Sequence, residues 1–412
     1  MSMDATMAWR NVWRNPRRSI LTMAAVAFAT LLLVFMLSWQ FGSYETMINF
    51  SVKIHTGHLQ VQAESYADKK EVRHVVARPE AVIKRLNRID GVEAVTPRAE
   101  AFSLVSSEER TYGVMVIGID PQREAAVSTL ESTLRRGDYL ENGDGNQALV
   151  GRLLADNLRA SIGDELVLLG QGRDGSIAAT MVRIKGIFSS GQDEFDRRVV
   201  HIPLTHFQDV YSMRGGVHRI VAVCRDLESV ARVTSELRKE IADMQDAQDL
   251  AVLDWRELNP GLVQAIQMDL VSGFIFYVIL IVVVAFSILN TFLMAIFERT
   301  REFGVMMALG TSPARLTRLL LFESSTITLI GIATGIVLGG LVTWYFQIHG
   351  IVIPGAEEMA RQFGLPERMY PQLSVLSVAV GAGIVLVITL ITALYPALKV
   401  RRLRPVRALS AV

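Results

Sequence analysis

Four stretches of this sequence contain no Asp, Glu, Lys or Arg, and they constrain the fold more than any other feature. They are Ser19–Tyr44, Leu270–Phe297, Ser324–Ala356 and Met369–Leu398. About 20 apolar residues in a helix cover the roughly 30 Å hydrocarbon core of a bilayer, so each stretch is long enough to span it. The first stretch could be a cleaved signal peptide, but its length favours a retained anchor. We therefore predict an α-helical integral membrane protein with four transmembrane helices.

The basic residues beside these stretches predict the orientation, because Lys and Arg resist translocation across a membrane. They lie before the first stretch, between the second and third, and after the fourth. They are Arg10, Arg14, Arg17, Arg18, Arg299, Arg301, Arg315, Arg318, Lys399, Arg401, Arg402, Arg404 and Arg407. Residues 45–269 carry 27 basic and 34 acidic side chains instead. We expect both termini in the cytoplasm, the helices in a bacterial inner membrane, and residues 45–269 in the periplasm.

Three domains follow from this topology: residues 1–44 with the first helix, a large extracytoplasmic α+β domain over 45–269, and residues 270–412 with helices two to four. Alternating or β-branched segments predict strands, and apolar residues three and four apart predict helices. The predicted strands are Gly57–Gln62, Val92–Val105, Tyr112–Ile119, Met181–Phe188 and Ile220–Cys224. The predicted helices are Pro79–Arg88, Arg152–Arg159, Thr205–Tyr211 and Leu227–Met244. Residues 137–191 could form a second lobe.

The second apolar helix should be much longer than a bilayer is thick. Asn259 followed by Pro260 predicts a helix start, and the 38 residues from Pro260 to Phe297 would form a rod about 57 Å long. Two apolar stripes lie near the outer ends of this helix and the first one. They consist of Leu262, Ile266 and Leu270, and of Phe41, Met47, Ile48 and Val52. The two helices would then be stalks that transmit motion, unless the stripes pack on the outer domain.

Several common functional motifs are missing. The sequence has no G-x-x-x-x-G-K-[ST] nucleotide loop, no H-E-x-x-H zinc motif and no G-x-S-x-G elbow. The single cysteine, Cys224, excludes an intrachain disulfide, and a net charge of +1 argues against nucleic-acid binding. We expect no catalytic residue, no metal site and no cofactor bound by this chain. Glu323 adjoins an apolar stretch near Arg315 and Arg318, where an ion pair is favoured over an ion or substrate ligand.

Residues 297–316 have the most specific pattern in the chain. They predict a short amphipathic helix at the inner face, which Gly310 ends before Ser312 and Pro313 begin the next helix. Its soft apolar surface would consist of Phe303, Met306, Met307 and Leu309. Such a helix could dock a cytosolic protein or lie on lipid headgroups.

This segment carries the pattern E-R-x-R-E-x-G-x-x-x-A-L-G from Glu298 onward. With the surrounding helices and the terminal Tyr395-Pro396-Ala397 and Arg404-Pro405-Val406-Arg407-Ala408-Leu409, it resembles the FtsX-like permease domain of ABC transporters. The N-terminal run from Trp9 to Arg18, one helix and a large outer domain are similar to lipoprotein-releasing (Lol-type) and macrolide-exporter permeases. The lack of a fused nucleotide-binding domain and the size of the outer domain favour the Lol-like branch.

The resemblance implies a non-catalytic permease that docks a separate cytosolic ABC ATPase, which binds ATP and Mg. Two permease chains, identical or different, would assemble with two ATPases, and the stalks would relay ATPase closure to the outer domains. The residues implied in coupling to the ATPase are Glu302, Phe303, Gly304, Met306, Met307, Ala308, Leu309, Gly310, Thr311, Pro313 and Leu316.

Three functions agree with this resemblance. The first is extraction of a lipoprotein or other lipid-like substrate towards the outer membrane, with a periplasmic carrier or adaptor protein as a further partner. Aromatic residues would then line a substrate or dimer cavity in the bilayer: Phe35, Trp39, Phe41, Phe274 and Tyr277. The second is export of a peptide, drug or siderophore through an adaptor and an outer-membrane duct. The third is a signal transmitter that activates an envelope enzyme without transport.

Overall fold

The computed structural model describes residues 3–242, 249–352 and 368–400, which divide into two compact units. The helical unit contains residues 3–44, 265–352 and 368–400. The α/β unit contains residues 45–242 and 249–264.

The helices are, in chain order, α1 Met3–Arg14, α2 Pro16–Ser51, α3 Glu64–Asp68, α4 Pro79–Leu86, α5 Pro121–Val127, α6 Arg152–Leu158, α7 Asp193–Arg198, α8 Leu204–Val210, α9 Leu227–Ala242, α10 Trp255–Leu258, α11 Pro260–Glu298, α12 Thr300–Ala308, α13 Pro313–His349 and α14 Val375–Val400. The strands are β1 Leu59–Ala63, β2 Val92–Ser106, β3 Thr111–Ile119, β4 Leu134–Gly137, β5 Gln147–Gly151, β6 Glu165–Gln171, β7 Ile177–Phe188, β8 Val199–Pro203, β9 Arg219–Cys224, β10 Leu250–Asp254, β11 Ile351–Val352 and β12 Arg368–Met369.

Among the described residues, four helices are long and apolar enough to cross a membrane: α2, α11, α13 and α14. They confirm the predicted apolar helices, and α11 begins at Pro260 as predicted. The third helix begins before its charge-free stretch, at Pro313, and ends before it, at His349, where Gly350 adopts a φ of +69°. The last helix begins only at Val375, because Met369 belongs to β12.

Glycines bring α2 and α13 close together. A Cβ added at Gly335 would lie 2.5 Å from the carbonyl oxygen of Ala27, and one at Gly331 would lie 2.8 Å from Cβ of Val26. Small residues at this spacing let helix backbones approach closely. The resulting van der Waals packing holds the helices together in lipid, where no hydrophobic effect acts between them. By contrast, most of the apolar length of α11 is exposed in the single chain. Lipid or another chain would have to cover it in a membrane.

The α/β unit is built on one mixed sheet with the strand order β10-β1-β9-β2-β3-β8-β5-β7-β4, in which β6 pairs with β2 and β7. The pairs β3–β8 and β5–β7 are parallel, and the other pairs in this sheet are antiparallel. Helices α4 and α9 contact each other and pack on β9. The five strands and four helices predicted from the sequence are present, with ends shifted by a few residues. The predicted end of the last helix lies outside the described residues.

The expectation of a second lobe over residues 137–191 is wrong. Strand β6 pairs with β2 and β5 pairs with β8, so this region extends the same sheet. Val105 and Val114 share one hydrophobic core with Leu154 and Val182. Burying these apolar faces against each other joins the segments into one body.

Helix α2 enters the α/β unit through a π-helical turn, Val52–Thr56. Gly57 follows with a φ of +68°, and a Cβ there would lie 2.3 Å from Cγ1 of Val221, so the turn into β1 requires glycine. The Asn259 side chain donates to Oγ1 of Thr56 at 3.3 Å, which ties the start of α11 to this turn.

Two ion pairs lie inside the α/β unit. Arg98 donates to Glu124 through Nε at 2.9 Å and Nη2 at 2.6 Å, and both side chains are 2 % exposed. Arg219 pairs with Glu100, which is also buried. Burial opposes the ionisation of Glu100, but Arg219 and His55 outweigh it and lower the pKa of Glu100 to about 2. The Arg98–Glu124 pair links β2 to α5, and the Glu100–Arg219 pair links β2 to β9.

Candidate coupling site

The segment between α11 and α13 folds as its sequence predicts. Helix α12 ends before Gly310, whose φ of +94° suits glycine, and the Thr311 N–H donates to the Met306 carbonyl at 3.0 Å. The Ser312 hydroxyl accepts from the backbone N–H of Arg315 and caps α13, and Pro313 occupies its first turn. The result is a short helix between two sharp turns.

One face of α12 is buried in the helical unit. Phe303 is fully buried and shares a cluster with Ile296, Leu316 and Leu320, and Met306 and Met307 pack against the same cluster. The prediction that Phe303 presents a soft external surface is therefore wrong. Gly304 and Leu316, which the resemblance implied in coupling, are also buried. Phe303 holds the helix in place, because Ile296 of α11 and the leucines of α13 offer it an apolar contact.

The opposite face of α12 is exposed and mostly apolar, and the exposed Arg301 lies on it four residues before Val305. Leu309 is 82 % exposed and Val305 is 45 % exposed, and Ala308 and Pro313 are exposed beside them. Val305 is not among the residues predicted from the sequence, although its spacing of four from Leu309 places the two side chains on one face. Val305, Ala308 and Leu309, together with Pro313 at the start of α13, are named the exposed α12 face below.

Ion pairs surround the start of α12. Arg14, the last residue of α1, donates through Nη2 to both carboxylate oxygens of Glu302, at 2.5 Å for Oε2. Arg299 donates to Oε2 of Glu302 at 3.3 Å. It also reaches both oxygens of Glu323 at 3.1 and 3.0 Å. The ion-pair interpretation of Glu323 is confirmed, with Arg299 as a partner that the sequence did not indicate.

A third arginine, Arg18, strengthens the same junction. Arg18 donates through Nη1 to Glu298 at 2.9 Å and through Nη2 to the Thr291 carbonyl at 2.9 Å. The hydrogen bond from Arg14 lowers the pKa of Glu302, so the carboxylate stays charged at neutral pH. Arg14 and Arg18 therefore hold the start of α12 and the end of α11.

Comparison with known protein families shows which family the chain belongs to. Residues 19–240 match the MacB-like periplasmic core domain, and residues 274–405 match the FtsX-like permease C-terminal domain. The chain is an FtsX-like ABC transporter permease. The predicted family is confirmed, and the permease is of the type named LolC, LolE and MacB.

Individual relatives agree with this family. The permease is 27 % identical over 335 residues to the lipoprotein-releasing system transmembrane protein LolC of Xylella fastidiosa, with 77 % of this chain and 78 % of that protein covered. It is 22 % identical over 384 residues to the lipoprotein-releasing system transmembrane protein LolE of Haemophilus influenzae, covering 90 % and 89 %. The crystal structure of the periplasmic region of MacB from Actinobacillus actinomycetemcomitans is 12 % identical, with 52 % of this chain and 94 % of that chain covered and a TM-score of 0.38.

The aromatic residues predicted to line a cavity have different surroundings in the single chain. Phe35 packs against Phe346 with ring centroids 5.9 Å apart, and the Tyr277 hydroxyl donates to Oε1 of Gln40 at 2.8 Å. Phe274 is 66 % exposed, whereas the other two candidates, Trp39 and Phe41, are half-buried. A shared cavity would need a second chain, and it stays a prediction.

Proposed function

We propose that this permease spans the inner membrane with both termini in the cytoplasm and the α/β unit in the periplasm. The basic residues beside the apolar helices support this orientation, since positive charge marks the cytoplasmic side. Trp9 and Trp13 of α1 support a position of α1 at a membrane surface, because both are exposed immediately before the first apolar helix. Tryptophan side chains are enriched at the surface of a bilayer, where α1 would lie.

The exposed α12 face carries the proposed link to an ATPase. A cytosolic ABC ATPase subunit, which binds ATP and Mg, would cover Leu309 and Val305. Solvent-exposed apolar residues on a helix that is otherwise fixed by a buried core and ion pairs suit a docking element. Movement of α12 would then reach the α/β unit through α2 and α11, which run without interruption into its residues.

The substitution Ala308→Arg tests this link. Ala308 is exposed, so the permease should fold, but a long charged side chain should prevent contact with the ATPase. We expect loss of ATPase co-purification and of ATPase stimulation in nanodiscs. Gly304→Arg serves as a contrast, since Gly304 is buried and this variant should lose folded protein instead. Normal binding and stimulation by Ala308→Arg would contradict the proposal.

We further propose that the transporter extracts a lipoprotein or another lipid-anchored molecule from the inner membrane. The LolC and LolE relatives support this substrate class, because both are named as transmembrane proteins of a lipoprotein-releasing system. Withdrawing an acyl chain of about 15 methylenes costs roughly 0.8 kcal/mol per methylene, or about 12 kcal/mol per chain. ATP hydrolysis and an apolar receiving surface would offset this cost.

An apolar surface of the α/β unit supports a partner in the periplasm. Leu104 faces Leu169 across β2 and β6, and Val167 faces Met181 across β6 and β7. These side chains are all more than 40 % exposed. Single exposed apolar residues are common, but a contiguous set is typical of an interaction site. A carrier or adaptor protein would fit this surface.

Depletion of the permease in its native cells tests the substrate. We expect one or more lipoproteins to accumulate in the inner membrane, because extraction would stop. The MacB-like match favours a second function, export through an adaptor and an outer-membrane duct. Co-purification separates the two, since extraction predicts a soluble lipid carrier and export predicts the adaptor and duct. Unchanged lipoprotein distribution would contradict extraction.

A further inference from the structure

Glu302 stands inside the segment implied in ATPase contact, yet its carboxylate is already bound within this chain. Arg14 donates to both of its oxygens, and Arg299 reaches Oε2 at 3.3 Å. Two guanidinium groups therefore hold this carboxylate from two directions. An acidic residue that is available to bind a basic residue of another protein would lack these contacts with Arg14 and Arg299.

Arg299 is itself fixed, and Arg14 lies at the end of a helix that packs on α13. Arg299 is 8 % exposed and pairs with Glu323 of α13 through two hydrogen bonds. Arg14 ends α1, where a positive charge is favourable, and α1 packs on α13 with Val12 fully buried. The Ser19 hydroxyl donates to the Val12 carbonyl at 2.6 Å and closes the turn between α1 and α2.

The two ion pairs, Arg14–Glu302 and Arg18–Glu298, connect two turns of the chain. Arg14 and Arg18 lie on either side of the turn between α1 and α2, and Glu298 and Glu302 lie on either side of the turn between α11 and α12. Two parallel ion pairs thus join one turn to the other. A single pair acts as a pivot, whereas two pairs and the buried Phe303 also fix the rotation of α12.

We propose that Arg14 is a positioning residue, which holds the coupling helix in its docking orientation through Glu302, and that Glu302 does not bind the ATPase. This inference rests on the proposed role of the exposed α12 face. It changes the role that the resemblance implied for Glu302, from an external contact to an internal support. The exposed α12 face alone would then contact the ATPase.

A double-mutant cycle tests the inference in the permease assembled with its ATPase in nanodiscs. The variants are Arg14→Gln, Glu302→Gln and the double variant, measured for ATPase affinity and stimulated hydrolysis. Half-exposed ion pairs of this kind contribute little, so we expect each single change to lower stimulation about threefold to fivefold and the thermal midpoint to stay nearly constant. The double variant should lose no more than either single variant.

Arg17→Gln is the matched control. It removes the same charge three positions from Arg14, and Arg17 belongs to none of the ion pairs found among the described residues. It should leave stimulation unchanged. Independent, multiplying losses in the double variant would overturn the inference, because they would mean that Glu302 acts without Arg14. Full stimulation by Arg14→Gln would also overturn it.

A covalent bridge provides a second measurement. Arg14→Cys combined with Glu302→Cys should uncouple the reduced complex, and a short thiol-reactive crosslinker should restore stimulation without either charge. The native Cys224 is 2 % exposed and should not react. Failure of a confirmed crosslink to restore stimulation would overturn the inference. In that case the variant Ala308→Arg shows which claim is wrong. If Ala308→Arg also leaves ATPase binding intact, the proposed function fails. If Ala308→Arg abolishes ATPase binding, only the positioning role of Arg14 fails.

Discussion

The two faces of α12 should respond in opposite ways to the same kind of change. Phe303 is fully buried, and Leu309 is 82 % exposed. Phe303→Ala should destabilise the permease by about 3–5 kcal/mol, because it opens a cavity among Ile296, Leu316 and Leu320. Leu309→Ala should leave the free energy of unfolding within about 0.5 kcal/mol of the wild type.

The effect of Leu309→Ala should appear in ATPase binding instead. The change removes three carbon atoms at about 0.8 kcal/mol each if the docked ATPase buries them. Allowing for the covered fraction, the loss is about 2 kcal/mol, which corresponds to an about 30-fold higher Kd. We would titrate the permease in nanodiscs with its ATPase and record thermal unfolding of the same preparations.

Leu329→Ala is the matched control for this experiment. Leu329 is 56 % exposed on the apolar length of α13, where lipid should cover it, so its removal should not change the Kd. The reasoning would be refuted if Leu309→Ala bound the ATPase like the wild type. It would also be refuted if Phe303→Ala unfolded at the wild-type temperature.

Three further predictions concern the fold. Glu124→Leu should lower the free energy of unfolding by about 3–5 kcal/mol, because Arg98 keeps a buried charge without its partner. Adding Arg98→Met should restore most of this loss, and chemical unfolding measures both variants. Burial lowers the pKa of His58 and His201 to about 4, so the folded form resists protonation. The free energy of unfolding should therefore fall by up to about 3 kcal/mol for each histidine as the pH drops from 6.5 towards 4, because only the unfolded chain takes up the proton; hydrogen exchange of β1 and β8 would follow this loss. Gly335→Leu should separate α2 from α13 and lower the yield of folded permease, whereas Gly340→Leu, which meets open space, should not.

The parts of the fold that depend on neighbouring residues could be predicted from the sequence. Pro260 begins α11, and Gly310 with Ser312 separates α12 from α13, because these residues restrict the backbone locally. The apolar helices were predictable for a similar reason, since composition over about 20 residues determines them.

The parts that depend on contacts between distant segments could not be predicted. Arg14 and Glu302 are 288 positions apart, and neither residue type nor spacing indicates their pairing. The pairing of β6 with β2, which joins the expected second lobe to the rest of the sheet, is also a contact between distant segments. The burial of Phe303 also follows from α11 and α13, because an amphipathic pattern shows that a helix has an apolar face but not what covers it.

The central claim is that α12 is covered by an ATPase rather than by lipid headgroups. A photo-reactive amino acid in place of Leu309 tests it most directly, in the complex assembled in nanodiscs, with the same probe in place of Leu329 as the control. We predict a crosslink from position 309 to the ATPase subunit and from position 329 only to lipid or a second permease chain. Crosslinks from position 309 that reach lipid alone would contradict the claim.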